Sequence, residues 1–375
     1  MMKSRIYFFA NFGEWDKQPY GGGEVGNRRT LELLKRMDYD ICVIERYTKV
    51  PRNNIWNKFR FLVRVAKTVL KYTGVLLLGR RNNSLLHVVG FYGAMLNFDY
   101  LMVSLGKALG YRVIYEMRGG GADWFYKTMG EKYRQKFDNI IRKSDYVFSQ
   151  GMENENLIRK IEPSKHIFYY PNYVMDEFYP SEYPEKPADR INLLYFGRIS
   201  PKKNIDVVIS SFAKLRNKYE SMYLDIVGNY EDRAYFDRIN GMIRAAGIEG
   251  YVHIHPACDH EQLKVYLRDK HIYIFPTKEP REGHSNAMTE AMAWGLVPVA
   301  TAQGFNRSVL TNDDLIVEEL EADSFANAIE KIIESGKIKD LSHSMYERVG
   351  ELYTQERAFM RLEAEYAKLF NAINN

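Results

Sequence analysis

Cysteine is nearly missing from this chain: Cys42 and Cys258 are the only two in 375 residues. They stand singly, more than two hundred positions apart, which excludes a disulfide framework and a thiolate metal cluster. Two buried, inert thiols are expected. Long apolar runs are missing too. The longest purely aliphatic stretch, Val75 to Leu78, falls far short of the roughly 20 residues that span a bilayer, and Ile6 to Ala10 is too short for a secretory h-region. A protein made and kept in the cytoplasm is expected. Acidic residues are missing from one region only, none occurring from Arg46 to Phe98.

That local absence gives the charge its meaning. The chain carries 53 Lys and Arg against 48 Asp and Glu, a net +5, and ten of the cations fall between Arg46 and Arg81. The rest is mildly acidic, 43 basic residues against 48 acidic. A nucleic-acid coat is therefore not expected, whereas a local anionic partner is. Within the patch, Arg60, Arg64, Lys67 and Lys71 recur at i, i+4, i+7 and i+11 of a helix spanning Asn57 to Tyr72, with Phe59, Leu62, Val63, Ala66, Val69 and Leu70 on the other side. One reading is a surface helix packed on a sheet with a solvated cationic face. The other, preferred here, is reversible docking on an anionic membrane leaflet.

Along the first half, strand-like runs (Arg5 to Asn11, Asp40 to Glu45, Leu85 to Gly90, Arg112 to Met117, Tyr146 to Gln150, His166 to Tyr170) alternate with helical spacing at Glu24 to Met37, Asn57 to Tyr72, Leu96 to Leu109, Asp123 to Arg142 and Glu153 to Ile161. Such alternation implies a parallel sheet with right-handed crossovers. Prolines 171, 180, 184 and 187 crowd an aperiodic stretch to Arg190, the best linker candidate. The alternation then restarts at Ile191 to Gly197. The expected fold class is α/β, two tandem Rossmann-like doubly wound domains, 1–180 and 191–355, with a C-terminal helix at 356–375 packing back on the first. Ligands are expected at the carboxyl ends of the strands, in an interdomain cleft.

The second half opens with a strand ending at Gly197, after which Arg198 and Lys203 follow five residues apart. Both cations can serve a phosphate or diphosphate together with the positive end of the next helix. Farther on, Ser285 is placed to cap a helix whose first N–H groups belong to Asn286, Ala287 and Met288. Glu282 lies in the loop before it and Glu290 about one turn inside. A carboxylate accepts two hydrogen bonds, so either can chelate a vicinal diol. His284, between them, suits the diphosphate, the sugar or the helix cap.

These residues carry a resemblance. Glu282 and Glu290, in Glu-Gly-His-Ser-Asn-Ala-Met-Thr-Glu, resemble the E-x7-E signature of the retaining GT-B glycosyltransferases of family four. Tyr170 to Pro180 is similar to that family's interdomain segment, Gly197-Arg198 with Lys203 to its Gly-Arg-x-x-x-x-Lys turn, and Gly21-Gly22-Gly23 to its first-domain glycine loop. The resemblance implies a nucleotide diphosphate-sugar donor bound by the second domain and a glycan or lipid-linked acceptor, in surface polysaccharide or glycolipid assembly. Transfer would retain configuration, with no metal and no cofactor. Arg198 and Lys203 would neutralise the diphosphate, Glu290 hold the ribose, Glu282 contact the sugar, and the 284–288 segment complete the donor site. Gly22 and Gly23 would let the first domain approach donor or acceptor. Many members have a histidine where Arg118 stands here. A guanidinium transfers no proton near neutral pH, so Arg118 is expected to bind donor or acceptor oxygens.

Three other patterns compete. Gly21-Gly22-Gly23-Glu24-Val25-Gly26 with Glu45 fits a nicotinamide site, but Phe12 to Tyr20 separates the glycines from their strand, whereas a dinucleotide turn starts at the strand end. Asp38-Tyr39-Asp40 spells a metal-binding D-x-D away from the strand ends. His253, His255, Cys258 and His260 match no zinc spacing. An epimerase of the same fold is the runner-up, then a nicotinamide oxidoreductase; a catalytically silent glycan binder is disfavoured by the four intact residues Arg198, Lys203, Glu282 and Glu290.

Overall fold

The apolar runs form two six-stranded sheets, parallel throughout. Strands covered by helices on both faces need near-continuous apolar sequence, and Ile6 to Ala10 and Ile272 to Phe275 are buried along their whole length. A computed structural model describes residues 3–17, 22–46 and 55–374. It divides into a first unit of residues 1–171 with 359–375 and a second of residues 172–358.

The first unit runs β1 (Arg5–Ala10), α1 (Gly22–Arg36), β2 (Asp40–Glu45), α2 (Ile55–Leu78), β3 (Ser84–Val89), α3 (Leu96–Ala108), β4 (Arg112–Met117), α4 (Ala122–Thr128), α5 (Glu131–Lys143), β5 (Tyr146–Ser149), α6 (Glu153–Ile161) and β6 (His166–Tyr169). Its sheet order is β2-β1-β3-β4-β5-β6, the flavodoxin-type variant of the doubly wound plan. The single helix expected over Asp123 to Arg142 is two, because Gly130 takes φ +81° and ends the first. α2 continues past Tyr72 to Leu78.

The second unit runs β7 (Ile191–Phe196), α7 (Ile205–Arg216), β8 (Met222–Val227), α8 (Arg233–Ala245), β9 (Val252–His255), α9 (His260–Leu267), β10 (Ile272–Phe275), α10 (Asn286–Ala293), β11 (Val297–Thr301), α11 (Asn306–Leu310), β12 (Ile316–Val317), α12 (Ala322–Glu334) and α13 (Ile338–Leu352), before α14 (Gln355–Asn374). The order β9-β8-β7-β10-β11-β12 is the Rossmann order 3-2-1-4-5-6. The chain reverses its winding between β7 and β10, which makes the carboxyl ends of those two strands the topological switch point where sheets of this order take their ligands.

The proline-rich stretch is no free linker. Residues 172–190 belong to the second unit, where Tyr173, Val174 and Phe178 are buried. The Val174 N–H donates to the Tyr353 carbonyl at 2.8 Å, and Trp294 Nε1 to the Phe178 carbonyl at 3.1 Å. The segment holds only a 3-10 turn at Asp176–Phe178 and a single bridge from Val174 to Thr354, but its aromatic side chains tie it down. In the first unit, residues 359–375 supply Tyr366 and Phe370, which pack against Tyr39. No helix among the described residues is long and apolar enough to cross a membrane.

The basic patch is smaller than its sequence suggests. Arg46 is buried, its guanidinium 2.8 Å from the buried Asp99 carboxylate and over the Phe91 ring, so it offers no surface charge. Lys49 and Arg52 lie outside the described residues, as does Gly21. Cys42 and Cys258 are half-buried rather than buried, and burial pushes both thiols up.

Candidate functional site

At the switch point of the second sheet, Gly197 leaves β7 at φ +140°, in the region that L side chains avoid. A Cβ on neighbouring Gly228 would sit 1.8 Å from the Gly197 carbonyl oxygen, so these two strand ends approach at a distance only glycine allows. The turn that follows is tied to its surroundings. Tyr195 Oη donates to the Arg198 carbonyl at 2.8 Å, and Asn204, at φ +49°, donates from Nδ2 to the Pro276 carbonyl at 2.6 Å. That bond joins the β7 loop to the β10 loop.

The two loops meet at an ion pair. Lys203 Nζ donates to Glu282 Oε2 at 2.6 Å, with both side chains under one-fifth exposed. Thr277 Oγ1 donates to the same oxygen at 3.0 Å. The Lys203 ammonium also lies 5.0 Å from the Phe275 ring centre, a cation–π distance. Gly304, at φ +59°, presses on this loop from the turn after β11; a Cβ there would fall 2.0 Å from the Glu282 carbonyl oxygen. Arg198, by contrast, is paired with Glu231 at 2.8 Å with both side chains mostly exposed, an arrangement that holds it weakly. Beside them, Arg281 lies 2.8 Å from Glu279 and holds that carboxyl below its ordinary range.

Ser285 caps α10, its Oγ accepting from the Met288 N–H at 3.3 Å. Of the three N–H groups assigned to a phosphate, that of Met288 is thus used by the cap. Those of Asn286 and Ala287 lie in the first turn, where a helix provides no internal acceptor. Glu290 is largely buried, with Oε1 3.4 Å from His260 Nε2. The structure therefore brings Lys203 onto Glu282, while Arg198 and Glu290 are held by other partners. Glu231, Thr277, Asn204 and the Glu290 contact of His260 were not anticipated; they come from loops far apart in sequence, and only the turn after Gly197 carried any signal for them.

His284 turns inward. Its ring is buried edge-on against Tyr353, centroids 4.9 Å apart, with Nε2 2.6 Å from Thr289 Oγ1. The Thr289 hydroxyl donates to the Ser285 carbonyl at 3.0 Å, so its one proton is spent and the imidazole Nε2–H is the donor. Burial, with Arg348 adding to it, lowers the imidazole to about 3. The folded state holds this histidine neutral while the unfolded chain protonates it near its ordinary value, so stability is full above about pH 6.5 and falls below it. Wild type loses roughly 1.4 kcal/mol per pH unit from this group between pH 6 and 4. Urea titrations at several pH values will show that slope, and His284→Gln flattens it; an unchanged slope in the variant would refute the assignment.

In the first unit, Arg118 lies just past β4 and is largely buried. Its Nε donates to Glu116 Oε1 at 2.5 Å and its Nη2 to Thr30 Oγ1 at 2.6 Å. Thr30 lies 3.0 Å from Tyr170 Oη. Glu116 is also 2.8 Å from His87 Nε2, and His87 Nδ1 is 2.5 Å from Tyr366 Oη. Burial alone would raise the Glu116 carboxyl, but Arg118 and His87 outweigh it and hold Glu116 below its ordinary range. Arg118 is therefore fixed in orientation. Gly22 and Gly23 open α1, and a Cβ on either meets nothing within 4 Å, so packing within this unit does not require glycine there.

The competing patterns resolve into ordinary structure. β1 ends at Ala10 and α1 starts at Gly22, too long a connection for a dinucleotide turn, and Glu45 accepts from Trp15 Nε1 at 2.7 Å. Asp38 pairs with Lys3 and Asp40 with Arg5. His255 lies 2.6 Å from Asp225, and among the described residues no three His, Cys, Asp or Glu side chains gather as a metal site would need.

Residues 181–351 match the family model for glycosyl transferases group 1. A probable sucrose-phosphate synthase of Thermosipho melanesiensis is 28% identical over 236 residues, 62% of this chain and 55% of its own length. The matches span between about a third and just over half the length of the curated relatives. Among solved structures, sucrose-phosphate synthase from Thermosynechococcus elongatus superposes with a TM-score of 0.71 at 19% identity, covering 99% of this chain and 100% of that one. The Anabaena protein HepE, solved with UDP, gives 0.67 at 12% identity over 97% and 100%.

Proposed function

Taking residues 181–351 as the glycosyl transferases group 1 domain that they match, in a chain of GT-B fold, we propose that the protein transfers a sugar from a nucleotide diphosphate donor to a glycan or lipid-linked acceptor, with retention of configuration. The observation that carries this reading is the Lys203–Glu282 contact at 2.6 Å, set at the Rossmann switch point beside the α10 N-terminus. An ammonium, an exposed guanidinium and two first-turn N–H groups suit a diphosphate. The UDP bound to the Anabaena neighbour supports a nucleotide as the ligand class.

The chemistry asked of these residues is limited. The acceptor hydroxyl attacks the anomeric carbon on the face that the diphosphate leaves; the bond from carbon to leaving oxygen breaks as the new glycosidic bond forms, and the hydroxyl proton passes to a phosphate oxygen. Lys203 and Arg198 neutralise the charge that grows on the leaving group, fixed cations being most effective where charge develops. No metal is needed for that role. Glu282 contacts the sugar, and Glu290 holds the ribose diol. Arg118, held by Glu116, offers its remaining N–H groups to donor or acceptor oxygens. Hexose transfer in surface polysaccharide or glycolipid assembly, by a cytoplasmic enzyme that docks on the membrane through its basic helix, completes the proposal.

A thermal-shift series with UDP, GDP, ADP and NAD tests the donor class. The matching diphosphate at about 100 times its Kd adds roughly 2.7 kcal/mol of stability, whereas NAD adds none. A shift with NAD alone, or with no nucleoside diphosphate, would overturn the reading.

A further inference from the structure

Helix α2 (Ile55–Leu78) carries three stripes, where a helix that only covers a sheet needs two. One is buried: Tyr72 and Leu76 are fully enclosed, Val65 and Val69 pack on the same core, and Tyr72 Oη donates to the Met102 carbonyl at 2.8 Å. The second is apolar and exposed. Phe59, Leu62, Val63, Ala66, Leu70 and Leu77 recur at i, i+3, i+4, i+7, i+11 and i+18, and Leu62 and Leu70 are 63% and 72% exposed. The third is cationic and exposed. Arg60, Arg64, Lys67 and Lys71 each follow a member of the apolar stripe by one residue, hence lie about 100° farther round the helix. The line between the two exposed stripes runs opposite the buried one, and Trp56, 69% exposed, lies on it.

All but Val69 of the apolar side chains expected to cover the sheet thus face solvent, and cations flank them along one whole side. An exposed apolar stripe of this length calls for an occupant. The charge chooses it: with no acidic residue from Arg46 to Phe98, the complementary surface is anionic, and a surface both anionic and oily is a bilayer leaflet. We propose that α2 is an in-plane membrane anchor, with Phe59, Leu62, Val63 and Leu70 among the acyl chains, Arg60, Arg64, Lys67 and Lys71 at the headgroup phosphates and Trp56 at the boundary. This deepens the docking part of the proposed function by adding apolar insertion to electrostatic attraction; it rests on the first unit alone and requires no nucleotide.

Co-sedimentation of the full chain with neutral phosphatidylcholine vesicles, and with vesicles one-third phosphatidylglycerol, tests it. Wild type partitions at least tenfold better onto the anionic vesicles, with a blue shift of emission that Trp56→Phe removes. Replacing Phe59, Leu62 and Leu70 together with serine weakens anionic binding at least tenfold at an unchanged melting temperature, and Leu70→Ser alone weakens it about threefold. Reversing the four cations to glutamate lowers binding to the neutral-vesicle level. Serine variants that bind as wild type does would overturn apolar insertion. Equal partition of wild type onto both vesicles, or a lipid-free dimer that the serine substitutions dissolve, would overturn the lipid. A chain that binds vesicles yet shows no nucleotide shift would sink the donor reading and leave this one standing.

Discussion

Lys203→Ala lowers the turnover of sugar transfer about 10²- to 10³-fold, the loss that follows removal of one fixed group stabilising charge in a transition state. The reason lies in how the side chain is held. Lys203 is mostly enclosed, pinned by Glu282 at 2.6 Å and resting against the Phe275 ring, so its charge is placed before any donor arrives. Arg198 is mostly exposed and weakly paired, and its replacement should cost less. Steady-state rates at saturating donor isolate the effect, since loss of uniform binding would raise KM and leave kcat alone. Lys203→Arg should restore part of the rate, and a Lys203→Ala turnover within twofold of wild type would sink the assignment.

The second large effect is on binding. Glu290→Ala weakens the donor nucleotide about 30- to 300-fold, the equivalent of one or two charge-assisted hydrogen bonds. A nearly buried carboxylate 3.4 Å from His260 sits at fixed depth in the second turn of α10, as diol recognition requires. Calorimetry with the ribonucleotide and its 2′-deoxy analogue gives the sharper readout. Wild type discriminates between them, whereas Glu290→Ala treats them alike. A variant that still prefers the ribose would show that another group reads it.

The winding of both sheets was legible in the sequence because parallel strands buried on both faces and the helices between them obey different periods. Elements ruled by single residues or by short contacts were not legible. Gly130 divides a helix that hydrophobic spacing reads as one, and β12 has two residues, too few for any period. In the candidate site, the turn after Gly197 and the frame from Glu282 to Glu290 stood out as sequence. Their partners did not: Glu231 reaches Arg198 from the loop after the neighbouring strand β8, and His260 reaches Glu290 from the start of α9, contacts that no spacing along the chain announces. The setting of His284 was hidden for a related reason, since its position between two glutamates says nothing of which way its ring turns. On α2, periodicity located the apolar and cationic residues; which apolar set the core would accept depends on how the helix is rotated against the sheet, and that is set by Tyr72 and Leu76 well down the chain.

The Lys203–Glu282 contact has one further consequence. If Lys203 takes the donor's diphosphate, as proposed above, the resting site carries its own competitor, a carboxylate tethered where the anion would sit. Free orthophosphate, or any small anion with nothing else to grip, must displace an intramolecular partner and gains little by doing so. A ligand that also engages the first turn of α10 and a second cation can complete the exchange. On that proposal the ion pair would act as a threshold, keeping the ammonium quiet amid small anions and surrendering it only to a molecule that binds at several points at once.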